Sequence, residues 1–472
     1  MQALSIDPYQ LRKDFLALLR LSLPIALGHA GQVLLVLVDA AMIGPLGVEP
    51  LAAASFGATI VHIPLLFGIG IAIPCHILVS EAKGRDDRAQ AFHWLLIGVV
   101  VTAVYSLLIG IALTSDMRWM NWLGQSASIL PMAKEYAAFL AWSLLPFMAY
   151  LCMRNYAEAL DNPWVPLRLF SVGFLLNIFL NWVFIYGNLG SPAFGVQGAG
   201  MASWCARAFM FVGMLVWILK FQPVRAYLKG GLGRSLRKWG AYKTWLGIGL
   251  PGAFQILFES GMFVLAGLLM GMLGERQLAA HHIAINYAAF VFTFSLGVSN
   301  ASSIMVASAL GAGEKANASR LSYANLGFAL AFVMLFSIVT FLLRNQIPTL
   351  FSPDQAVIEL AASYLAIAAF FHFFDGAQIV TVGNLRGYAD MKKPALLLLL
   401  SCWGIGLPIG AFLAFGLDVG GVGIWYGLSV ALAVASLLLN LRLLRFTWRS
   451  SQPGMSRFTN PVARQLSRML RE

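Results

Sequence analysis

The chain has 472 residues, of which 59% are hydrophobic and only 11% charged, and a formal net charge of +12. An ordinary soluble domain carries roughly a quarter charged residues, so the composition argues against a soluble enzyme and for a membrane protein. The basic balance then reads as membrane topology, with attraction to anionic lipid headgroups, and not as affinity for nucleic acid.

A helix needs about 20 apolar residues to cross ~30 Å of hydrocarbon. Apolar runs near 16–43, 50–80, 91–114, 128–152, 163–186, 196–220, 244–272, 278–310, 319–343, 355–383, 394–416 and 420–443 predict twelve such spans. The first, "LLRLSLPIALGHAGQVLLVLVDAAMIG", is too long for a signal-peptide core and has no small-residue cleavage pattern, so it is expected to stay in the membrane as helix 1. Of the 32 lysines and arginines, all but five fall on one alternating set of segments, from Arg12, Lys13 and Arg20 through Lys83, Arg85 and Arg88 to the C-terminal tail. That set includes Arg154 and Arg386. The opposite set holds Arg118, Lys134, Arg276 and Arg344, and Arg207 alone is placed inside a span. The positive-inside rule then puts both termini in the cytoplasm, and a bacterial inner membrane is the expected location. Cys75, Cys152, Cys205 and Cys402 lie in or beside apolar runs with no CxxC pairing and read as packing residues.

The segment "LSLPIALGHAGQVLLVLVDAAMIGPLGVEPLAAA" from residue 21 aligns without a gap on "IGLPGAFQILFESGMFVLAGLLMGMLGERQLAAH" from 248. Pro24 meets Pro251, Gly44 meets Gly271 and Gly47 meets Gly274, and the register holds to Gly84 and Gly311. Further on, "MRNYAEALDNP" from 153 resembles "LRGYADMKKP" from 385. The chain is therefore read as all-α, with two pseudo-symmetric six-helix bundles. Because six is even, both copies enter the membrane with the same orientation, and the pseudo-axis runs along the bilayer normal. The expected organisation is an N-terminal lobe over 1–220, a basic cytoplasmic linker over 221–243, a C-terminal lobe over 244–445 and a basic tail over 446–472.

Of the 20 acidic residues, three are placed well inside the apolar runs: Asp39 in helix 1, Glu259 in helix 7 and Asp375 in helix 10. A charge at mid-bilayer costs from about 2.5 to more than 10 kcal/mol, so such residues are expected to face the bundle interior or a wet cavity. A carboxyl group held there can bind and release a proton, or hold a sodium ion with neighbouring oxygens. Helical spacing supplies polar neighbours. Gln255 lies four residues before Glu259, while His372 and Gln378 flank Asp375 at three residues on either side. His29, Gln32 and Asp39 share one stripe of helix 1, Asn177 and Asn181 lie one turn apart in helix 5, and Asn286 in helix 8 is a candidate for the same cavity. The bland alternative is that these groups only tie helices together, with Arg207 as a salt-bridge partner for one acid. Motifs for a nucleotide-driven motor, a metalloprotease or a serine hydrolase do not occur: there is no GxxxxGK[ST], HExxH or GxSxG. Neither a cofactor nor a catalytic residue is expected, and transport would draw on an ion gradient.

Five stretches together resemble the multidrug and toxic compound extrusion (MATE) family, in its NorM-like branch. They are "VDAAMIG" in helix 1, "LLNIFLNWVFIYG" in helix 5, "FES" in helix 7, "AHHIAIN" in helix 8 and "DGAQIVTVGNLRGYAD" at the end of helix 10. The resemblance runs from about residue 15 to 445. It implies antiport of amphipathic or cationic compounds against H+ or Na+ by alternating access between two lobes. It further implies an N-lobe polar site at Asp39, Asn177 and Asn181 and a C-lobe cation site at Glu259 and Asp375. Ala40 stands where the family often has threonine, and Phe371 where sodium-linked members can have tyrosine. Fewer oxygen donors favour a proton over sodium, since a hard cation wants several oxygens and a proton one base. The alternatives weighed are a lipid-linked precursor flippase, which should line its cavity with several cationic donors, and an intramembrane enzyme. A monomer in contact with membrane lipids is the expected state.

Overall fold

The computed structural model describes residues 8–221 and 238–450. The expected linker at 221–243 and tail at 446–472 therefore lie for the most part outside the described residues. With no water in hydrocarbon to satisfy peptide groups, an apolar chain of this kind must close its backbone hydrogen bonds within each span. Among the described residues this yields twelve helices long and apolar enough to cross a membrane: α1 (Pro8–Leu46), α2 (Val48–Gly84), α3 (Arg88–Thr114), α4 (Leu130–Ala159), α5 (Trp164–Tyr186), α6 (Gly195–Phe221), α7 (Trp239–Met272), α8 (Glu275–Gly311), α9 (Lys315–Leu343), α10 (Gln355–Gly387), α11 (Lys392–Gly416) and α12 (Gly421–Thr447). Each expected run falls in one helix. Several helices continue past the run, as at the ends of α4 and α10.

The sequence repeat has a backbone basis. Gly47 and Gly274, the aligned glycines that precede α2 and α8, have φ 120°, ψ 177° and φ 115°, ψ 164°. That region of the backbone map is open almost only to glycine. By contrast, a Cβ added at Gly44 would meet nothing within 4 Å, and one at Gly271 only Leu278 at 3.9 Å. The first aligned pair answers to a conformational need that the second does not have.

By packing, the chain forms two units: Gly28–Ala253, and Met1–Leu27 with Phe254–Glu472. The boundaries expected at 220 and 244 are not where the packing divides. Each six-helix copy contributes the first half of its first helix to the other unit, and the repeat prolines, Pro24 in α1 and Pro251 in α7, lie within three residues of the crossovers.

In the Gly28–Ala253 unit, the start of α7 is seated on α2 and α3. A Cβ at Gly70 would fall 2.2 Å from the Ala253 Cα, and one at Gly98 2.3 Å from the Trp245 ring. Pro74 breaks α2 by lacking an N–H, which frees carbonyls at the kink. Trp245 Nε1 donates to the Ile71 carbonyl at 2.9 Å and Asn155 Nδ2 to the Ala72 carbonyl at 3.1 Å, so side chains replace the lost backbone donors. Next to this kink lies a buried ionic cluster. Arg154 Nε donates to Glu158 Oε1 at 2.6 Å, His76 Nε2 is 2.9 Å from Glu158 Oε2, and Arg154 Nη2 is 3.4 Å from His29 Nε2. It joins α1, α2 and α4. The second unit holds the first half of α1 by different means. Leu18, Leu21 and Ile25 pack on Ala301 and Ile304 of α8, and Asp14 pairs with Arg320 of α9. A Ser302–Asn325–Asn384 network then ties α8, α9 and α10, with Ser302 Oγ donating to Asn384 Oδ1 at 2.5 Å and Asn325 Nδ2 to Ser302 Oγ at 2.8 Å. In a bilayer, such bonds and close backbone approaches carry the association that hydrophobicity supplies in water.

Two stability outcomes follow. Gly274→Ala should cost about 1–3 kcal/mol, seen as a lower apparent Tm of the purified protein, whereas Gly271→Ala should leave the melting curve in place; equal effects would contradict the backbone reading. Arg154→Met should cost about 3–5 kcal/mol by stranding Glu158, and the double change Arg154→Met with Glu158→Leu should recover much of it, since replacing a whole buried pair by apolar groups is often neutral.

Candidate functional site

Each unit contains a buried carboxylate group within its helices, and the two differ in how their polar atoms are satisfied. In the Gly28–Ala253 unit, Asp39 of α1 faces α5 and α6. Asn181 Nδ2 donates to Asp39 Oδ1 at 2.6 Å and to Asn177 Oδ1 at 3.2 Å. Ser203 Oγ donates to Asp39 Oδ2 at 3.4 Å and accepts from Asn177 Nδ2 at the same distance. The one-turn spacing of Asn177 and Asn181 places both amides on one side of α5, that side meets Asp39 as the family resemblance implies, and Ser203, which the sequence did not single out, completes the group. Arg207 interacts electrostatically with Asp39. It makes no ion pair with it: its Nη1 donates to Ser143 Oγ at 2.6 Å, and its guanidinium lies 4.9 Å from the centre of the Phe147 ring.

The stripe expected on helix 1 is divided. His29 contacts Arg154 of the ionic cluster, and half-buried Gln32 joins neither group among the hydrogen bonds of the described residues. A shared helical face brings side chains to the same side, but Asp39 lies ten residues, some 15 Å, along the axis from His29.

In the second unit, α7 contributes Gln255 and Glu259, and α10 contributes His372, Asp375 and Gln378, all buried. Glu259 and Asp375 interact electrostatically. The π-helical segment of α11, Leu400–Gly406, seats against this part of α7: Trp403 Nε1 donates to the Phe258 carbonyl at 2.9 Å, and a Cβ at Gly261 would fall 2.9 Å from the Trp403 ring. Cys402, read from the sequence as packing, interacts electrostatically with both carboxyl groups. Asn286 of α8 is exposed and takes no part in these contacts. Phe371 is packed in aromatics, its ring centre 6.0 Å from Phe263 and 5.8 Å from Trp425, so no oxygen occupies that turn.

The distinguishing property of this second group is what its atoms lack. Glu259 Oε1, Asp375 Oδ1, His372 Nε2 and both amide atoms of Gln255 are buried with no hydrogen-bond partner among the described residues, and Gln378 lies against Glu259 without a well-formed hydrogen bond to it. Leaving one buried polar group unsatisfied costs about 1–3 kcal/mol, more if it is charged. Several such atoms are gathered here on α7 and α10. They mix acceptors, the carboxylate and amide oxygens, with amide N–H donors and an imidazole nitrogen whose role depends on its tautomer. The Asp39 group is nearly satisfied by comparison, with Asn181 Oδ1 its one orphan among the described residues.

The sequence reading also left out two buried cations. Arg154 and Arg386 were assigned to cytoplasmic segments, but both lie inside helices and are buried, as are Glu158, Glu81 and Asp14 among the acids. Arg386 interacts electrostatically with Glu259 without forming an ion pair. The signal available in the sequence was the recurring Arg-x-Tyr-Ala-acid core, which puts an arginine at the same point of both copies.

Comparison with known proteins agrees with this architecture. The family model described as MatE matches residues 24–183 and again 251–412, so the two matches fall on the two copies of the repeat. A protein of Mesorhizobium japonicum named "Probable multidrug resistance protein NorM" is 36% identical over 446 residues, covering 92% of this chain and 94% of that one. A protein of the same name from Pseudomonas aeruginosa is 32% identical over 443 residues, covering 92% and 90%. Among solved structures, a multidrug resistance MATE family transporter of the MOP superfamily in an outward-facing conformation superposes with a TM-score of 0.84 at 19% identity, covering 93% of this chain and 96% of that one. The Vibrio cholerae MATE transporter VcmN superposes with a TM-score of 0.83 at 20% identity, covering 93% and 98%. This chain belongs to the MatE family and is an integral membrane transporter, not an enzyme.

Proposed function

We propose that the protein is a secondary active multidrug efflux transporter of the bacterial inner membrane, with both termini cytoplasmic, that exports amphipathic or cationic small molecules in exchange for an inward-moving cation. The observation that carries this reading is the pair of buried carboxyl groups, Glu259 and Asp375, each with an oxygen that no described residue satisfies. A carboxylate stranded in a low-dielectric interior is held there stably only if a cation shares the site, so cation arrival and departure become large differential terms in the balance of conformations. The names of the relatives support the drug-export half of the reading. Asp39, Asn177, Asn181 and Ser203, already satisfied by one another, form a polar surface better suited to hydrogen-bonding substrate than to coupling.

The cation is better read as a proton than as sodium. One base suffices for a proton, whereas the Phe371 ring removes a position from which oxygen could help hold sodium. Moving one charge through 100 mV is worth about 2.3 kcal/mol. A one-for-one swap of a proton for a monovalent cationic drug gains nothing from voltage and draws only on the chemical gradient. A flippase for pyrophosphate-linked lipids would need several uncommitted guanidinium groups lining one cavity; Arg154 is committed to Glu158, Arg207 bonds Ser143, and Arg386 is left as a single uncommitted guanidinium among the described buried arginines.

With the protein reconstituted in vesicles holding a fluorescent cationic dye, and pH and sodium gradients imposed separately, Asp375→Asn and Glu259→Gln should each lower ion-driven dye exchange by at least about tenfold while the protein remains folded. Wild-type exchange rates in both variants would refute the coupling role.

A further inference from the structure

The two copies of the repeat place an arginine at the same point and then treat it differently. In the first copy, α4 continues to Ala159, so Glu158 sits one turn beyond Arg154 on the same helical face and pairs with it at 2.6 Å. In the second copy, α10 ends at Gly387 and Ala389 has φ 57°, so the corresponding acid, Asp390, leaves the helical face. Asp390 is instead paired with Arg442 of α12 at 2.8 Å. Arg386 is thereby deprived of its own carboxylate. It is 5% exposed, its Nε has no hydrogen-bond partner, and no ion pair to it is present among the described residues.

Where it points matters. Asp375 and Arg386 are eleven residues apart, close to three full turns, so they share one face of α10 with Gln378 and Val382 between them. Glu259 of α7 meets this stripe at Gln378, between its two ends, and interacts electrostatically with Asp375 and Arg386 on either side. A guanidinium keeps its charge at every physiological pH and is the least costly cation to desolvate. We propose that Arg386 is a tethered counter-cation for Glu259, which compensates that carboxylate after the transported cation has left and opposes rebinding when it returns. Arg386 is a positioning residue in this scheme: it touches neither cation nor drug and acts through Glu259. It sets the affinity for the cation low enough for release. The scheme rests on the coupling reading of Glu259 and Asp375 given above.

The test uses the full-length protein in vesicles, with dye exchange measured as a function of proton and of sodium concentration. Arg386→Gln should reach half-maximal exchange at a cation concentration about tenfold lower than wild type, with a reduced maximal rate, because removing a like charge that opposes the arriving cation at Glu259 is worth about that factor in a protein interior. Arg386→Lys should restore the dependence toward wild type. An unshifted midpoint with reduced amplitude would mean that Arg386 only supports the fold, and would overturn the proposal. If Arg386→Gln is too unstable to assay, a double-mutant cycle on thermal stability decides: its destabilisation should largely vanish in a Glu259→Gln background, and an equal loss in both backgrounds overturns the proposal. Should Asp375→Asn and Glu259→Gln retain coupled exchange, the coupling reading and this one fall together. If those two lose coupling while the Arg386→Gln midpoint stays put, only the role of Arg386 falls.

Discussion

A polar atom buried in a membrane protein has nowhere to turn except to another part of the protein or to something the protein carries. The arrangement of this chain follows from how that demand is met in one copy of a repeat and left unmet in the other. Asp39 is bonded by Asn181 and Ser203, and Glu158 by Arg154 and His76. Glu259 Oε1 and Asp375 Oδ1 have no such donor. The two copies of the repeat share one six-helix pattern, so the difference lies in side chains and helix ends within a common architecture. Gln32 aligns with Glu259 in the ungapped register, and helix α10 stops where α4 carries on.

The scaffold around this difference is held by devices suited to hydrocarbon. Carbonyls freed by Pro74 are recovered by Trp245 and Asn155, glycines allow α7 to approach α2 at backbone distance and to seat the Trp245 ring on α3, and serine and asparagine side chains join α8, α9 and α10. Within the second unit, the π-helical stretch of α11 deserves notice for its position. It grips α7 immediately beside Glu259, and the widened turn at Leu400–Gly406 presents Cys402 and Ser401 toward the interior. Segments of this kind occur often at functional sites, since the irregular turn lets a helix aim side chains that a regular one could not.

Much of this was legible in the amino-acid sequence. Twelve apolar runs match twelve membrane-length helices among the described residues, the ungapped repeat pairs Gly47 with Gly274, which share a backbone conformation, and one-turn spacing puts Asn177 and Asn181 on one face of α5; that this face meets Asp39 was implied only by the family resemblance. Other features were hidden for identifiable reasons. A hydrophobic window ends at its first charges, so Arg154, Glu158 and Arg386 were counted with the cytoplasmic segments although the helices run on and bury them. A shared stripe on α1 did not show that His29 would find Arg154, because spacing along one helix says nothing about what another helix offers at that depth. The division of α1 near Pro24 and of α7 near Pro251 between packing units depends on long-range packing, which has no signature in local composition.

The central claim is that Glu259 and Asp375 are the carboxyl groups whose partner comes from outside the protein, whereas Asp39 and Glu158 are held by partners within it. It is tested most directly by mapping, by mass spectrometry, the adducts of a lipophilic carbodiimide, which attacks protonated carboxyl groups in apolar surroundings, over a series of proton and sodium concentrations. The account predicts adducts concentrated on Glu259 and Asp375, in amounts that change with the cation supplied, while Asp39 and Glu158 stay unmodified. Labelling spread evenly over all four, or confined to Asp39, would contradict it.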